Sequence, residues 1–149
     1  MERRLAREIA LHIIFESSFD NEKSDLQTQK YLKNERFENF REDCDIYKEK
    51  VITSQIKYIE TIISGVLSHS AELDAYIDKY AIGWDFGRIS RINTAIIKLS
   101  MYELMYMSDI PHAVSINEAV EFAKKYDSDN AASFVNGVLG SFVRKELSI

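Results

Sequence analysis

Residues 110–142 read IPHAVSINEAVEFAKKYDSDNAASFVNGVLGSF, and the reading of this stretch decides the fold. Pro111 ends the helix before it, because its ring cannot follow a helical residue without strain. Ser115 and Glu118 match the S-x-x-E capping box and are expected to open a helix. Ile116, Ala119, Val120 and Ala123 then follow at helical spacing. Asp127, Ser128, Asp129 and Asn130 form a turn cluster, and Asn130 can cap the next helix. Phe134, Val135, Val138, Leu139 and Phe142 make that helix's apolar stripe. Within it stands Phe134-Val135-Asn136-Gly137. Core packing does not ask for an amide and a glycine there, and such local departures concentrate at functional sites.

Working outward, the chain reads as helix nearly throughout. Residues 2–19 form a first helix with Leu5, Ile9, His12 or Ile13, and Glu16 along one side and Ile14 and Phe15 widening the stripe. Residues 24–40 are dense in charge of both signs and suit an exposed helix. Over 47–68, Ile52, Ile56, Ile59, Ile63 and Val66 recur at three- and four-residue steps. A shorter helix follows at 72–80, then a connector at 81–87 whose glycines flank two aromatics. Ser90 can cap a helix running to about 107, with Ile92, Ile96, Leu99 and Tyr102 or Glu103 on one face. Several helices with short links predict an all-α compact bundle, with Gly83–Gly87 as a joint between two sub-bundles.

The 149 residues fit one domain, 1–149, long enough to bury a core. One proline and five glycines favour helices over a turn-rich β fold. The single cysteine, Cys44, excludes an intrachain disulfide and suits a reducing cytoplasm, and its acidic neighbours Glu42, Asp43 and Asp45 disfavour a thiolate. No apolar run approaches a membrane span. Catalytic chemistry has little support. His12, His69 and His112 lie in separate segments, none with a metal-ligand partner one turn on, and no glycine-rich phosphate loop is present. No catalytic residue, metal ligand or cofactor is expected. The net charge of −5 argues against indiscriminate affinity for nucleic acid, but leaves room for a short single strand held by a local basic patch.

Residues 116–126, INEAVEFAKKY, followed by FVNGVL at 134–139, resemble the C-terminal half of the bacterial NusB family of transcription antitermination factors. Arg88-Ile89-Ser90-Arg91-Ile92 with AIIKLSMYEL at 95–104 resembles that family's central helix. The segment 63–80 with Trp84, and the basic opening Arg3-Arg4-Leu5-Ala6-Arg7-Glu8, also match. The resemblance covers about 1–19 and 51–145; the charged segment at about 20–50 looks like a variable insertion. It implies two three-helix sub-bundles sharing a core. It also implies binding of a boxA-like single-stranded element of nascent ribosomal RNA together with NusE, a small-subunit ribosomal protein. The pair would link that RNA to the elongating RNA polymerase and suppress termination.

The resemblance places RNA along the first helix and the FVNG helix. Arg3, Arg4 and Arg7 would contact phosphates. A basic helix start is mildly unfavourable against the helix dipole, which makes a purely solvated role less natural. Lys124 can extend the basic face, and Asn130, at the start of the FVNG helix, is also assigned to RNA. Phe134 and Asn136 cannot both face a core, because side chains two apart diverge on a helix. One reading stacks Phe134 on an unpaired base and aims Asn136 at a base edge. The other packs Phe134 on a neighbouring helix and has Asn136 satisfy buried backbone. Gly137 is expected to permit close approach of another helix. Phe15, Arg91 and Asn93 match positions that would meet NusE.

The chain departs from the family at Asn93-Thr94, at 130–133 (Asn-Ala-Ala-Ser), and at Gly140. The acidic balance and the missing basic residues leave a second reading open, a protein-only adaptor of the same fold, which the Arg3, Arg4 and Arg7 cluster disfavours. A third, the RNA-binding appendage of a ribosomal RNA methyltransferase, would be non-catalytic without a cofactor domain. Nothing in the sequence chooses between a monomer and a homodimer.

Overall fold

Helix α1 spans Glu2–Ser17, α2 Ile46–Ser68, α3 Ser70–Tyr80, α4 Arg91–Tyr106, α5 His112–Tyr126 and α6 Asp129–Glu146. The computed structural model describes residues 2–18, 46–81 and 89–147. All regular structure among these residues is helical, as the sequence predicts. The helix expected at 24–40, Cys44 and most of the 81–87 connector lie outside them. So does most of the charged insertion; its last residues, 46–50, open α2. No described helix is long and apolar enough to cross a membrane.

The chain divides after Ser68 into two units. In the first, α1 packs along α2. Of the predicted stripes, Ile9, Ile13 and Ile14 in α1 and Ile59, Ile63 and Val66 in α2 are buried, whereas Leu5, Glu16 and Ile56 are half-buried. Ala6, Ile9, Ala10, Ile13 and Ile14 line α1, and Tyr58, Ile59, Ile62, Ile63 and Val66 line α2, all less than a tenth exposed.

The second unit holds α3 to α6, with α5 and α6 forming its most extensive pair. Thus the division falls at Ser68, upstream of the glycine-flanked connector expected to mark it. The reason lies in α3. Its Tyr76 meets Phe142 of α6 edge-on at 5.0 Å between ring centroids, and Tyr80 does so at 6.1 Å. From α4, Lys98 reaches Asp74 at 2.7 Å and donates to the Ser70 hydroxyl at 3.0 Å. Phe142 is fully buried, a position where truncation to alanine removes about 3–5 kcal/mol.

The α5 start differs from its expected place. The helix begins at His112 with Pro111 as its N-cap residue, so the proline opens α5 and α4 has already ended at Tyr106. Ser115 and Glu118 form no capping box. Ser115 shares a face with Ala119 and Phe122, and all three are buried. Its hydroxyl donates to Glu103 Oε1 at 2.8 Å and lies 3.0 Å from the Ser100 hydroxyl, so α4 and α5 are joined by a buried polar network. Ser90 caps α4 as expected, accepting from the Asn93 amide at 3.2 Å. Ser128, not Asn130, caps α6, accepting from the Ala131 amide at 3.0 Å.

At the far end, α6 is clasped to α3. Glu146 accepts from Lys79 Nζ at 2.7 Å and from the Tyr80 hydroxyl. The Lys79 and Tyr80 hydrogen bonds hold the Glu146 carboxyl below its ordinary range.

Two predictions follow from these contacts. Ser115→Ala deprives the buried Glu103 carboxyl of a donor and is expected to lower stability by about 1–3 kcal/mol in urea unfolding. For Glu146 the folded pKa is depressed, so its contribution is present above the unfolded carboxylate range and is lost as pH falls through the folded value. Stability measured across the acid range should fall less steeply in Glu146→Gln than in the wild type.

Candidate nucleic-acid interface

Helix α6 buries Ala131, Ala132, Val135, Val138, Leu139 and Phe142. With these on one side, the opposite side is determined by helical geometry. Asn130, Ser133, Asn136, Gly137 and Arg144 are exposed, while Phe134, Gly140 and Ser141 are half-buried on its shoulders. Phe134 therefore sits at the margin between core and solvent rather than wholly in either place. Asn136 is two residues on, about 200° around the axis, and faces solvent on the other flank. The alternative in which Asn136 satisfies buried backbone is not what the fold adopts.

Among the described residues, no other helix approaches Gly137. A Cβ built there would meet nothing within 4 Å. A glycine at an exposed helix position costs about 1 kcal/mol relative to alanine, and among the described residues no packing offsets that.

Lys124, in the last turn of α5, is exposed and lies 3.8 Å from Glu121, a weak surface pair. The residues between the two helices are tied down from α4. Asp127 ends α5, and its carboxylate accepts from Asn93 Nδ2 at 2.7 Å and from the Ser90 hydroxyl at 3.4 Å. Asn93 is consequently buried, 5% exposed, and cannot offer its side chain to a partner as expected. Its amide instead anchors the turn from which α6 starts. Arg91 is exposed on the first turn of α4. Lys98 on the same helix is engaged by Asp74 and Ser70.

The three arginines of α1 belong to the first unit and differ from one another. Arg3 is half-buried: Nε donates to Gln55 Oε1 at 2.8 Å, and its guanidinium lies 4.2 Å above the Tyr58 ring. Arg7 is 3% exposed and lies 6.0 Å from the same ring. Its assignment to phosphate is therefore corrected: it is part of the α1–α2 packing, with its stem buried and its charge over an aromatic face. Arg4 is exposed. Phe15 is half-buried near the end of α1.

Sequence reasoning missed the Asn93–Asp127 tie, the Ser100–Ser115–Glu103 network and the Glu146 clasp. Only the second left a signal: Ser115 falls on the Ala119–Phe122 stripe. Among the described residues no group of three or more histidine, cysteine or acidic side chains could hold a metal ion. A second aromatic cluster, His69 with Tyr102 and Tyr106, lies at 4.6–5.7 Å centroid separations, and the half-exposed Tyr106 donates its hydroxyl to Glu72 at 2.8 Å.

The outer side of α6 thus carries an amide and a glycine exposed to solvent, with Phe134 half-buried at its margin. The chain belongs to the NusB family, whose model matches residues 4–144. It is 38% identical over 144 residues to the transcription antitermination protein NusB of Clostridium novyi, covering 97% of this chain and 99% of that one. It is 39% identical over 142 residues to the protein of the same name from Agathobacter rectalis, covering 95% and 99%. Among solved structures, T. maritima NusB superposes with a TM-score of 0.72 at 26% identity, covering 96% of this chain and 91% of that chain. A chain from a crystal structure of antitermination factors NusB and NusE in complex with dsRNA superposes with a TM-score of 0.71 and 96% coverage of both. At 18% identity that second likeness speaks for the fold alone.

The two exposure classes among the arginines give a direct expectation. Arg7→Ala should destabilise the protein by about 1–3 kcal/mol through lost packing and an unpartnered site, whereas Arg4→Ala should stay within about 0.5 kcal/mol of wild type. Thermal and urea unfolding of the two variants distinguishes them.

Proposed function

We propose that this chain is an RNA-binding transcription antitermination factor. It takes up a boxA-like single strand of nascent ribosomal RNA together with NusE and links it to the elongating RNA polymerase. The observation that carries this reading is family membership over 4–144 combined with an exposed Asn136-Gly137 pair beside a half-buried Phe134. Phe134 supplies a π-surface for one unpaired base, and Asn136 and Asn130 supply amide donors and acceptors that can read edges. Arg4 and Lys124 supply phosphate contacts, with Arg3 contributing from its seat on Tyr58. Arg91 and Phe15 remain the residues assigned to NusE; Asn93 is withdrawn from that set.

The net charge is −5, and the enclosure of Arg7 removes one cation from those assigned to phosphates. Affinity for RNA by itself should be weak and should rise when NusE adds its own contacts. The same observation favours a second reading, a protein-only adaptor of this fold.

The test is fluorescence anisotropy of a labelled boxA-like strand against a scrambled strand, with and without NusE, at two salt concentrations. Expected are selective binding, tightening with NusE, and a loss of about 10-fold or more in Phe134→Ala, the scale of one base–aromatic stack. Arg4→Ala should weaken binding and flatten its salt dependence. Equal binding to both strands with NusE present would establish the adaptor instead.

A further inference from the structure

We propose that the outer face of α6 is a track for the sugar–phosphate chain, in which Gly137 admits the strand against the helix and Arg144 holds a phosphate beyond it. The track rests on the RNA-binding reading above and extends it past Phe134 toward the end of the helix.

Gly137 is the first observation. It lies in ordinary helix, is exposed, and has nothing within 4 Å of where a Cβ would stand. Neither backbone conformation nor packing within the described protein requires glycine there. What its missing side chain leaves free is the surface just past Phe134, three residues back on the adjoining flank. A nucleotide whose base lies on Phe134 must pass its ribose and phosphate over some part of this helix. A Cβ at position 137 would stand in that path, and glycine lets the chain reach the helix backbone.

Arg144 is the second, independent observation. It lies two turns beyond Gly137, about 10 Å along the axis, on the same side. Its guanidinium folds back along the helix: Nη1 lies 3.2 Å from where a Cβ on Gly140 would be, and Nη2 donates to the Ser141 hydroxyl at 3.2 Å. Gly140 thus clears room for the arginine as Gly137 clears room outside the protein. The guanidinium is pre-placed over the helix surface, exposed, with a planar array of donors suited to a phosphate. A basic residue in a last turn also complements the helix dipole, but Lys145 beside it serves that purpose equally and has no glycine beneath it. The order of Phe134 on the shoulder, then Gly137 and Arg144 on the outer face, therefore reads as stacking surface, clearance and charge.

The experiment is anisotropy of the labelled boxA-like strand with NusE present, comparing wild type, Phe134→Ala, Gly137→Ala and Arg144→Gln, together with the melting temperature of each. Gly137→Ala is expected to bind about 10-fold more weakly while melting about 2–4 °C higher, so that lost binding cannot be lost folding. Arg144→Gln is expected to bind about 3- to 10-fold more weakly and to reduce the slope of log affinity against log salt by about 0.7, the value for one phosphate on a single strand. If Phe134→Ala loses binding while both other variants stay within about twofold of wild type, the track is wrong and the RNA-binding reading stands. If only one of the two has an effect, the track as a single surface is overturned. If wild type itself shows no preference over a scrambled strand, both fall.

Discussion

The burial of one side of α6 is the constraint on which the rest of the second unit depends. Val135, Leu139 and Phe142 are wholly enclosed, and Phe142 gathers the rings of Tyr76 and Tyr80 from α3. A helix with six buried side chains has no freedom to rotate, because a turn about its axis would expose several apolar side chains at once, each worth about 1.5–3 kcal/mol. The opposite side is thereby fixed as an outer surface. The polar devices around it act on position: Ser128 sets where α6 begins, Asp127 ties that beginning to α4, and Glu146 clasps its end to α3. None need contribute much energy to decide where the exposed residues stand.

The helices were legible because their apolar spacing is regular and their burial follows it. Ile59, Ile63 and Val66 illustrate this in α2: each was read from spacing and each is at most 1% exposed. The errors fell at helix ends, where several polar residues compete for one role. The 110–118 segment contains a proline, a serine and a glutamate that all fit helix-boundary signals, and the helix starts directly after Pro111, its N-cap residue, rather than at the capping box. Once the start moves to His112, Ser115 turns inward, and a residue read as a cap becomes a donor to a buried carboxylate. The same competition at 127–130 was settled for Ser128 over Asn130.

The interface was legible in kind but less so residue by residue. The anomaly of Asn-Gly in an apolar run was visible in the sequence, and both residues prove exposed. What spacing could not supply is the fate of individual charges. Arg3, Arg4 and Arg7 look alike in a basic opening helix, yet Tyr58, more than fifty residues away, takes Arg3 and Arg7 against its ring while Arg4 is exposed. Asn93 is a similar case: an amide at a helix start reads as surface until Asp127 arrives from a different helix to bury it. Such long-range pairings carry no local signature, which is why charge counting misjudges both how much positive surface a chain has and where it lies.

The exposed Asn136-Gly137 pair also bears on how this protein ages. In flexible chain, an asparagine followed by glycine is the sequence most prone to lose its amide, because the glycine nitrogen swings freely onto the side-chain carbonyl and closes a succinimide. Inside α6 that nitrogen is fixed by the helix, and the ring cannot form without local opening. The chemical lifetime of Asn136 is therefore set by how often α6 opens. The clasp at Glu146 and the cap at Ser128 stand at its two ends, so they protect the covalent identity of an exposed residue that neither of them touches.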